Sequence, residues 1–194
     1  MRKSFIILFA TIFLSGCGVV NQIVGLQAFS QSEYSFNSIS NIQLGNMNLG
    51  GGQTLSLANI AAVSSLLSGA QQSIPLGMTI NLDVTNPNPV AAVLNSVDFD
   101  VIINDMTLTS GVINTPMRIE GGQTAVMPIA FGVDLRTLMN TYSQQAVTSA
   151  FSSFLGITNT PANITVRLRP ALMVGNVAIP SPVAIPVSFN FGGR

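Results

Sequence analysis

Cys17 has the most reactive side chain in this sequence, and it lies directly after an apolar segment near the N-terminus. The chain has one Cys and no His among its 194 residues. A cysteine thiolate is the strongest ordinary nucleophile near neutral pH, so position 17 is suited to covalent modification. The preceding residues are a cationic head, Met1-Arg2-Lys3-Ser4, and the apolar run FIILFATIFL over residues 5–14. A positive head, a short apolar run and small residues after it are typical of a secretory signal. Ten helical residues rise only about 15 Å, half of a bilayer's hydrocarbon core, so we do not expect this run to be a permanent span.

The tetrapeptide Leu14-Ser15-Gly16-Cys17 resembles the lipobox of bacterial lipoproteins. The resemblance implies cleavage between Gly16 and Cys17 and the attachment of palmitate-type acyl chains to Cys17, which would hold the protein on a membrane without a spanning helix. In enteric lipoproteins an Asp after the acylated Cys retains the protein in the inner membrane. Gly18 at this position therefore implies the outer membrane, with the protein facing the periplasm. The alternative is that Cys17 is an incidental residue of a signal peptide or a small buried side chain.

The rest of the composition excludes several classes of function. Charged residues make up 7% of the chain and the formal net charge is zero, without a basic cluster and without Trp, which argues against binding to nucleic acid. An apolar content of 47% argues against intrinsic disorder. With Cys17 acylated no disulfide can form, so stability must come from packing.

Few other residues could support catalysis or metal binding. Without His, and with Lys3 as the only Lys and part of the signal, the common nucleophile arrangements lack a base. Asp98 and Asp100 lie on one face of a predicted strand and Asp105 follows in a turn, so a Ca²⁺ site is conceivable. We favour a solvated strand face instead, because the sequence has no Asp-rich loop with an enclosing Gly. We therefore predict no enzyme activity, no cofactor and no metal. Arg167 and Arg169 are interpreted as solubilising or edge-protecting residues, with an anion-binding pair as the alternative.

Alternating apolar and polar residues predict several strands. Period two occurs in the segments MTINLDVT (78–85), VDFDVII (97–103), TAVMPIAFGV (124–133), NITVRLR (163–169) and VAIPVSFNF (183–191). Between the first two of these segments, Asn86-Pro87-Asn88-Pro89 is predicted to form a structural turn that breaks the strand, because Pro removes a ladder donor and Asn caps turns. Asn104-Asp105 predicts a tight hairpin turn.

Spacings of three and four predict helices. One long amphipathic helix is expected over residues 134–155, with Asp134 as its N-cap and Gly156 at its end. Residues 57–69 are compatible with a second, short helix that has Ile60, Val63, Leu66 and Leu67 on one face and is terminated by Gly69. Residues 17–35 are expected to form the acylated N-terminus and a tether.

The segments MTINLDVTNPNPV, VDFDVIIND and GGQTAVMPIAFGVDL resemble the late embryogenesis abundant type 2 family, which includes the WHy domain. The resemblance covers about residues 74–191 and implies a mainly β fold, a fibronectin-III/immunoglobulin-like antiparallel β-sandwich with the long helix at one edge. The expected domains are a signal peptide (1–16), the tether (17–35) and the sandwich (36–194). The family is associated with stress responses, and it supplies no catalytic residues.

These observations predict a lipid-anchored, non-enzymatic binding or structural module of the cell envelope. Its expected partners are the membrane, through the acyl chains on Cys17, and an envelope protein or an apolar ligand of unknown identity. The alternative is a periplasmic carrier that shields a lipid or other apolar ligand in a cavity under the 134–155 helix.

Overall fold

A computed structural model describes residues 22–50, 56–69, 71–174 and 177–193 of the chain. The expected signal peptide (1–16) and the predicted acylation site at Cys17 lie outside these described residues. The described chain is mainly β, and its strands pair antiparallel, as the sequence predicts.

Two antiparallel sheets and one short ribbon form the β part of the fold. The first sheet has the order β2-β1-β3-β8, with β1 Glu33–Leu44, β2 Met47–Gly50, β3 Pro75–Thr85 and β8 Thr124–Asp134. The second sheet has the order β10-β9-β5-β6, with β11 also paired to β9, and consists of β5 Ser96–Ile103, β6 Met106–Ile113, β9 Ala162–Val174, β10 Val177–Pro180 and β11 Ile185–Phe191. The ribbon pairs β4 Ala92–Leu94 with β7 Met117–Ile119.

Four helices complete the described chain: α1 over residues 22–30, α2 Leu57–Ser68, α3 Leu135–Thr141 and α4 Gln144–Phe154. The short helix expected over residues 57–69 is confirmed as α2, which Ser56 caps by accepting a hydrogen bond from the backbone N–H of Asn59. None of the described helices is both long enough and apolar enough to cross a membrane.

The two sheets share one hydrophobic core, because alternate residues of their strands point inward. Every second residue of β3 from Leu76 to Val84 is buried, and in β5 the predicted inward residues Val97, Phe99, Val101 and Ile103 are buried as well. Burial of a large aliphatic or aromatic side chain stabilises a fold by about 1.5–3 kcal/mol, so these alternating rows fix the register of both sheets.

The molecule has two distinct ends, and the strand register identifies them. At one end β5 finishes at Ile103 opposite Ile164, and the aromatic rings of α4, Phe151 and Phe154, line the same small space as these two residues. We call this the helical end. At the other end β5 begins at Ser96 opposite Ala171 of β9. Asn86 after β3, the β4–β7 ribbon and α1 lie there, and we call it the Asn86 end.

The prediction of one long helix over residues 134–155 is wrong, because the chain forms α3 and α4 with a break between them. Asp134 is the N-cap of α3, as predicted, with its carboxylate accepting a hydrogen bond from the N–H of Arg136 at 2.8 Å. After Tyr142 the chain turns at Ser143, whose φ of 117° is not helical and whose hydroxyl accepts a hydrogen bond from the N–H of Ala146. A serine that caps a new helix competes with continuation of the old one, which the apolar spacing alone does not reveal.

The expectation of a tether does not hold for residues 22–35. Residues 22–30 are helical, Ala28 and Phe29 are buried in the core, and β1 begins at Glu33. The folded domain therefore includes α1, and only residues before 22 remain for a tether.

The predicted hairpin turn at Asn104-Asp105 is confirmed. Both residues have positive φ angles, 45° and 66°, as a two-residue turn between β5 and β6 requires.

Candidate functional site

The side chain of Asn86 is completely buried and is fully hydrogen-bonded. Strand β3 ends at Thr85, and Asn86 follows it. Its Nδ2 atom donates to the carbonyl oxygens of Val90, at 2.8 Å, and Ile119, at 3.0 Å. Its Oδ1 atom accepts from the backbone N–H and the side-chain amide of Asn88, both at 3.1 Å. One amide thus fixes the Asn-Pro-Asn-Pro turn and joins it to β7.

The backbone of Asn86 ties the same turn to the start of β8. Its N–H donates to the carbonyl of Gln123 at 2.9 Å, and its carbonyl accepts from the N–H of Gly122 at 2.7 Å. Gly121 packs so closely that a Cβ there would lie 2.7 Å from the carbonyl oxygen of Asn88. Glycine is therefore required at position 121 by close backbone approach, and the Gly pair and the Asn-Pro-Asn-Pro turn form one unit.

Helix α1 ends on this unit. The side-chain amide of Asn88 donates to the carbonyl of Ala28 at 3.3 Å, and the hydroxyl of Ser32 donates to the same carbonyl at 3.0 Å. The phenol of Tyr34 donates to the carbonyl of Phe29, and burial raises the pKa of Tyr34, so this group remains a neutral donor. Two of the last carbonyls of α1, those of Ala28 and Phe29, are therefore satisfied by three side chains from outside the helix.

A groove of about 440 Å³ lies beside the first turn of α1. It is lined by Gln22, Val24, Gly25, Val90, Ala91, Val93 and Arg118. The Oε1 atom of Gln22 is buried and accepts no hydrogen bond from any residue in the described part of the chain. Arg118, which also lines the groove, forms a salt bridge with Glu120, with 2.7 Å between Nε and Oε1. The groove offers apolar contacts and one buried acceptor that no described residue satisfies.

The predicted acidic residues do not form a metal site in the described structure. Asp100 accepts hydrogen bonds from Arg169, at 2.8 Å, and from the hydroxyl of Ser110, at 2.7 Å. The hydrogen bond from Arg169 lowers the pKa of Asp100, and the same bond raises the pKa of Arg169. Within the described ranges no three His, Cys, Asp or Glu side chains are grouped so that they could hold a metal ion. The carboxylate of Asp100 is thus neutralised by a cation of the protein itself.

Of the two roles predicted for Arg167 and Arg169, solubilising or edge-protecting, the edge-protecting one is wrong. Strand β9 is paired with β5 on one side and with β10 and β11 on the other, so it is an interior strand. The two arginines alternate with buried residues and lie on the outer face of that sheet.

The predicted apolar cavity under the helices is not found among the described residues. The space between α4 and the two sheets has a volume of about 10 Å³. Such a space is no larger than the minimum that one water molecule needs, which is about 10–15 Å³. An acyl chain has no room there because Phe151 and Phe154 fill the interior.

The sequence identified Asn86 to Pro89 as a turn but did not reveal that Asn86 is the hub of a buried network. It also missed α1, and with it Gln22 and Gly25. The usable signal was the pair Gly121-Gly122, because adjacent glycines before a strand often mark a close approach of two backbones.

Comparisons with known proteins give one family and several structural neighbours. The model of the family described as "Late embryogenesis abundant protein" (LEA_2) matches residues 81–184. No curated protein matches the sequence. A crystal structure of a protein from Archaeoglobus fulgidus is 11% identical, with a TM-score of 0.40, and the match covers 82% of this chain and 98% of that one. A solution structure of an Arabidopsis thaliana protein is 10% identical, with a TM-score of 0.42 and coverages of 84% and 85%. A solution structure of a candidate late embryogenesis abundant (LEA) protein is 13% identical, with a TM-score of 0.39 and coverages of 84% and 72%.

Proposed function

The chain belongs to the late embryogenesis abundant protein family, LEA_2, and from this premise we propose that it is a lipid-anchored, non-enzymatic module of the bacterial cell envelope with a stress-related binding or structural role. The observation that carries the proposal is the tetrapeptide Leu14-Ser15-Gly16-Cys17. Its Cys17 lies five positions before residue 22, the first described residue of helix α1. Acylation at Cys17 would therefore place a folded domain directly at a lipid surface. Stable anchoring takes two membrane signals, and two or three acyl chains on one residue meet that requirement.

The proposal also includes the type of β-sandwich, the removal of the signal peptide and the membrane that carries the protein. We assign the two antiparallel sheets to a fibronectin-III/immunoglobulin-like sandwich of the WHy type, with signal peptide 1–16 removed. Gly18 after the acylated residue favours the outer membrane, with the domain on the periplasmic side.

A binding or structural role is supported by how the polar side chains of the described residues are used. The side-chain amides of Asn86 and Asn88 donate hydrogen bonds to backbone carbonyls of other segments. Asp100 is paired with Arg169. Catalytic groups need an accessible acid, base or nucleophile held near a substrate, and these side chains are instead committed to holding the fold together.

The proposal is tested by labelling cells that express the full chain with radioactive palmitate and by separating their membranes from soluble proteins. We expect the wild-type chain to carry label and to fractionate with membranes, and Cys17→Ser to lose both properties. Ser4→Ala is the matched control, because it leaves the cationic residues, the apolar run and Cys17 intact, and it should behave like the wild type. Unchanged label or fractionation in Cys17→Ser would contradict lipid anchoring.

A further inference from the structure

The hairpin of β9 and β10 exposes large apolar side chains to solvent. All four residues of β10, Val177–Pro180, are exposed, and Val177 and Ile179 retain 63% and 52% of their accessible surface. Val183, which follows the strand, is 71% exposed. Val183 and Val177 are the two most exposed large hydrophobic side chains among the described residues, and Ile179 lies two positions after Val177. Exposed apolar side chains this close in sequence indicate a surface that contacts a partner or a membrane.

The hairpin also lacks the charges that usually protect an edge strand. The sequence from 170 to 193 contains no Asp, Glu, Lys or Arg. Among the described residues strand β10 pairs only with β9, through Val177 opposite Val174 to Pro180 opposite Ala171, so no described strand covers its other side. Soluble proteins normally place Lys or an inward-pointing charge on such an edge. Uncharged apolar side chains on such an edge are suited to the interfacial layer of a bilayer, where water still hydrogen-bonds the unpaired backbone groups.

The hairpin projects from the Asn86 end of the molecule. Strand β5 begins at Ser96 opposite Ala171, so the residues of β9 beyond Ala171 and their partners in β10 extend past the start of β5. Helix α1 lies at the same end, because Gly25 packs directly against Val93 of the β4–β7 ribbon. Ile23 and Val24 on α1 are themselves 48% and 43% exposed. The start of the folded chain and the apolar hairpin therefore share one end.

We propose that the β9–β10 hairpin is a second membrane contact, which inserts Val177, Ile179 and Val183 into the interfacial layer of the bilayer that holds the acylated N-terminus. This inference rests on the proposed acylation of Cys17. Four residues separate Cys17 from Gln22, and the five Cα–Cα steps between the two residues span at most about 18 Å when the chain is fully extended. The lipid surface is thus held close to the end of the domain that carries the hairpin. Because residues 170–193 carry no charged side chain, this contact does not depend on anionic lipid.

The absence of Trp from the sequence allows a direct test with a single introduced fluorophore. Ile179→Trp places it on the hairpin, and Gln145→Trp is the matched control, at an exposed position of α4 at the helical end. Full-length acylated protein is reconstituted into vesicles of phosphatidylethanolamine and phosphatidylglycerol, with and without brominated acyl chains. We expect Ile179→Trp to show a blue shift on reconstitution and a loss of intensity with brominated lipid, and Gln145→Trp to show neither.

The outcomes separate the hairpin from the anchor. If the acylated protein floats with vesicles but Ile179→Trp is not quenched, the hairpin proposal is overturned and the anchor stands. If the chain carries no acyl group and does not float with vesicles, the proposed acylation of Cys17 is wrong. The hairpin proposal, which rests on it, is then wrong as well. A Cys17→Ser chain that is a dimer in solution, and becomes a monomer with Ile179→Asp, would instead assign the hairpin to a second copy and overturn the lipid contact. Val177→Trp repeats the measurement if Ile179→Trp fails to fold by circular dichroism.

Discussion

Gly25 of α1 packs against Val93 of β4 so closely that a Cβ on residue 25 would lie 2.8 Å from the Val93 Cβ. Real Cβ atoms do not approach each other at that distance, so the contact exists only because residue 25 has no side chain. Together with the hydrogen bond from Asn88 to the carbonyl of Ala28, it makes α1 part of the folded domain.

Gly25→Ala is expected to lower the free energy of unfolding by about 1–3 kcal/mol, the usual cost of overpacking, although alanine favours a helix. Urea denaturation measures the change. The Gly25→Ala change should cost less in a Val93→Gly background, since glycine at 93 removes both the Cβ at 2.8 Å and the Cγ2 at 3.1 Å. Gly132→Ala is the control, because its nearest neighbour would be 3.6 Å away, an ordinary contact. Equal stability of Gly25→Ala and wild type would show that α1 is not docked here.

Asn86→Asp is expected to lower the free energy of unfolding by about 3 kcal/mol or more. The substitution keeps the shape but removes both donors to Val90 and Ile119 at a site with no solvent exposure, and it buries a carboxylate. Equilibrium unfolding in urea at pH 7 measures the loss. Asn140→Ala, an exposed position of α3, should change stability by less than about 0.5 kcal/mol. A similar small effect at Asn86 would refute its role as the hub.

Asp134 makes the free energy of unfolding depend on pH in the acidic range. Its carboxylate accepts hydrogen bonds from the Ser73 hydroxyl and from the N–H groups of Ile74 and Arg136, and these bonds lower its pKa below the ordinary value of 3.8, the Ser73 bond most. A carboxyl with a lowered pKa in the folded state stabilises the fold above its ordinary pKa and loses that contribution as the pH falls through the lowered value.

Asp134→Asn should therefore be less stable than wild type by about 1 kcal/mol at pH 7, and the gap should shrink as the pH falls below about 4. Urea midpoints at pH 7 and pH 3 measure it. Asp105→Asn is the control, since Asp105 is an exposed turn residue. A gap that stays constant between the two pH values would count against the ionised carboxylate as the cause.

Arg169 and Asp100 should contribute little to stability as a pair. Both side chains are partly exposed, and pairs of this kind typically couple by about 0.2–1 kcal/mol. A double-mutant cycle with Asp100→Asn and Arg169→Gln measures the coupling, which should weaken at 1 M salt. Coupling that is larger and insensitive to salt would mean that the pair is better shielded than its exposure indicates.

The sequence predicted the strands well, because alternating burial follows directly from alternating residue types. In β3 the apolar positions alternate without interruption and form the row facing the core. In β8 the predicted inward residues Met127 and Ile129 are buried, although Val126 on the other face is apolar and exposed. The turn at Asn104-Asp105 was predictable for the same local reason, since a tight hairpin favours residues that tolerate positive φ.

The features that were missed have three different causes: a local cap, a strand without a buried face and a helix held by distant segments. The break at Ser143 needs a capping bond that competes with a continuous apolar stripe. Strand β10 has no buried row at all, so it lacks the usual signal. Helix α1 gains its stability from Val93 and Asn88, which local spacing cannot report. The signal at Cys17 stays a prediction, because that residue lies outside the described part of the chain.

The docking of α1 has a consequence for the order of assembly. The amide of Asn88 that holds the carbonyl of Ala28 lies 60 positions later in the chain, and Asn86, which positions Asn88, is itself bound to Ile119. During synthesis the helix emerges well before the surface that receives it, and such long-range contacts form late. A spectroscopic probe on α1 would therefore report completion of the whole domain, and not the first steps of its collapse.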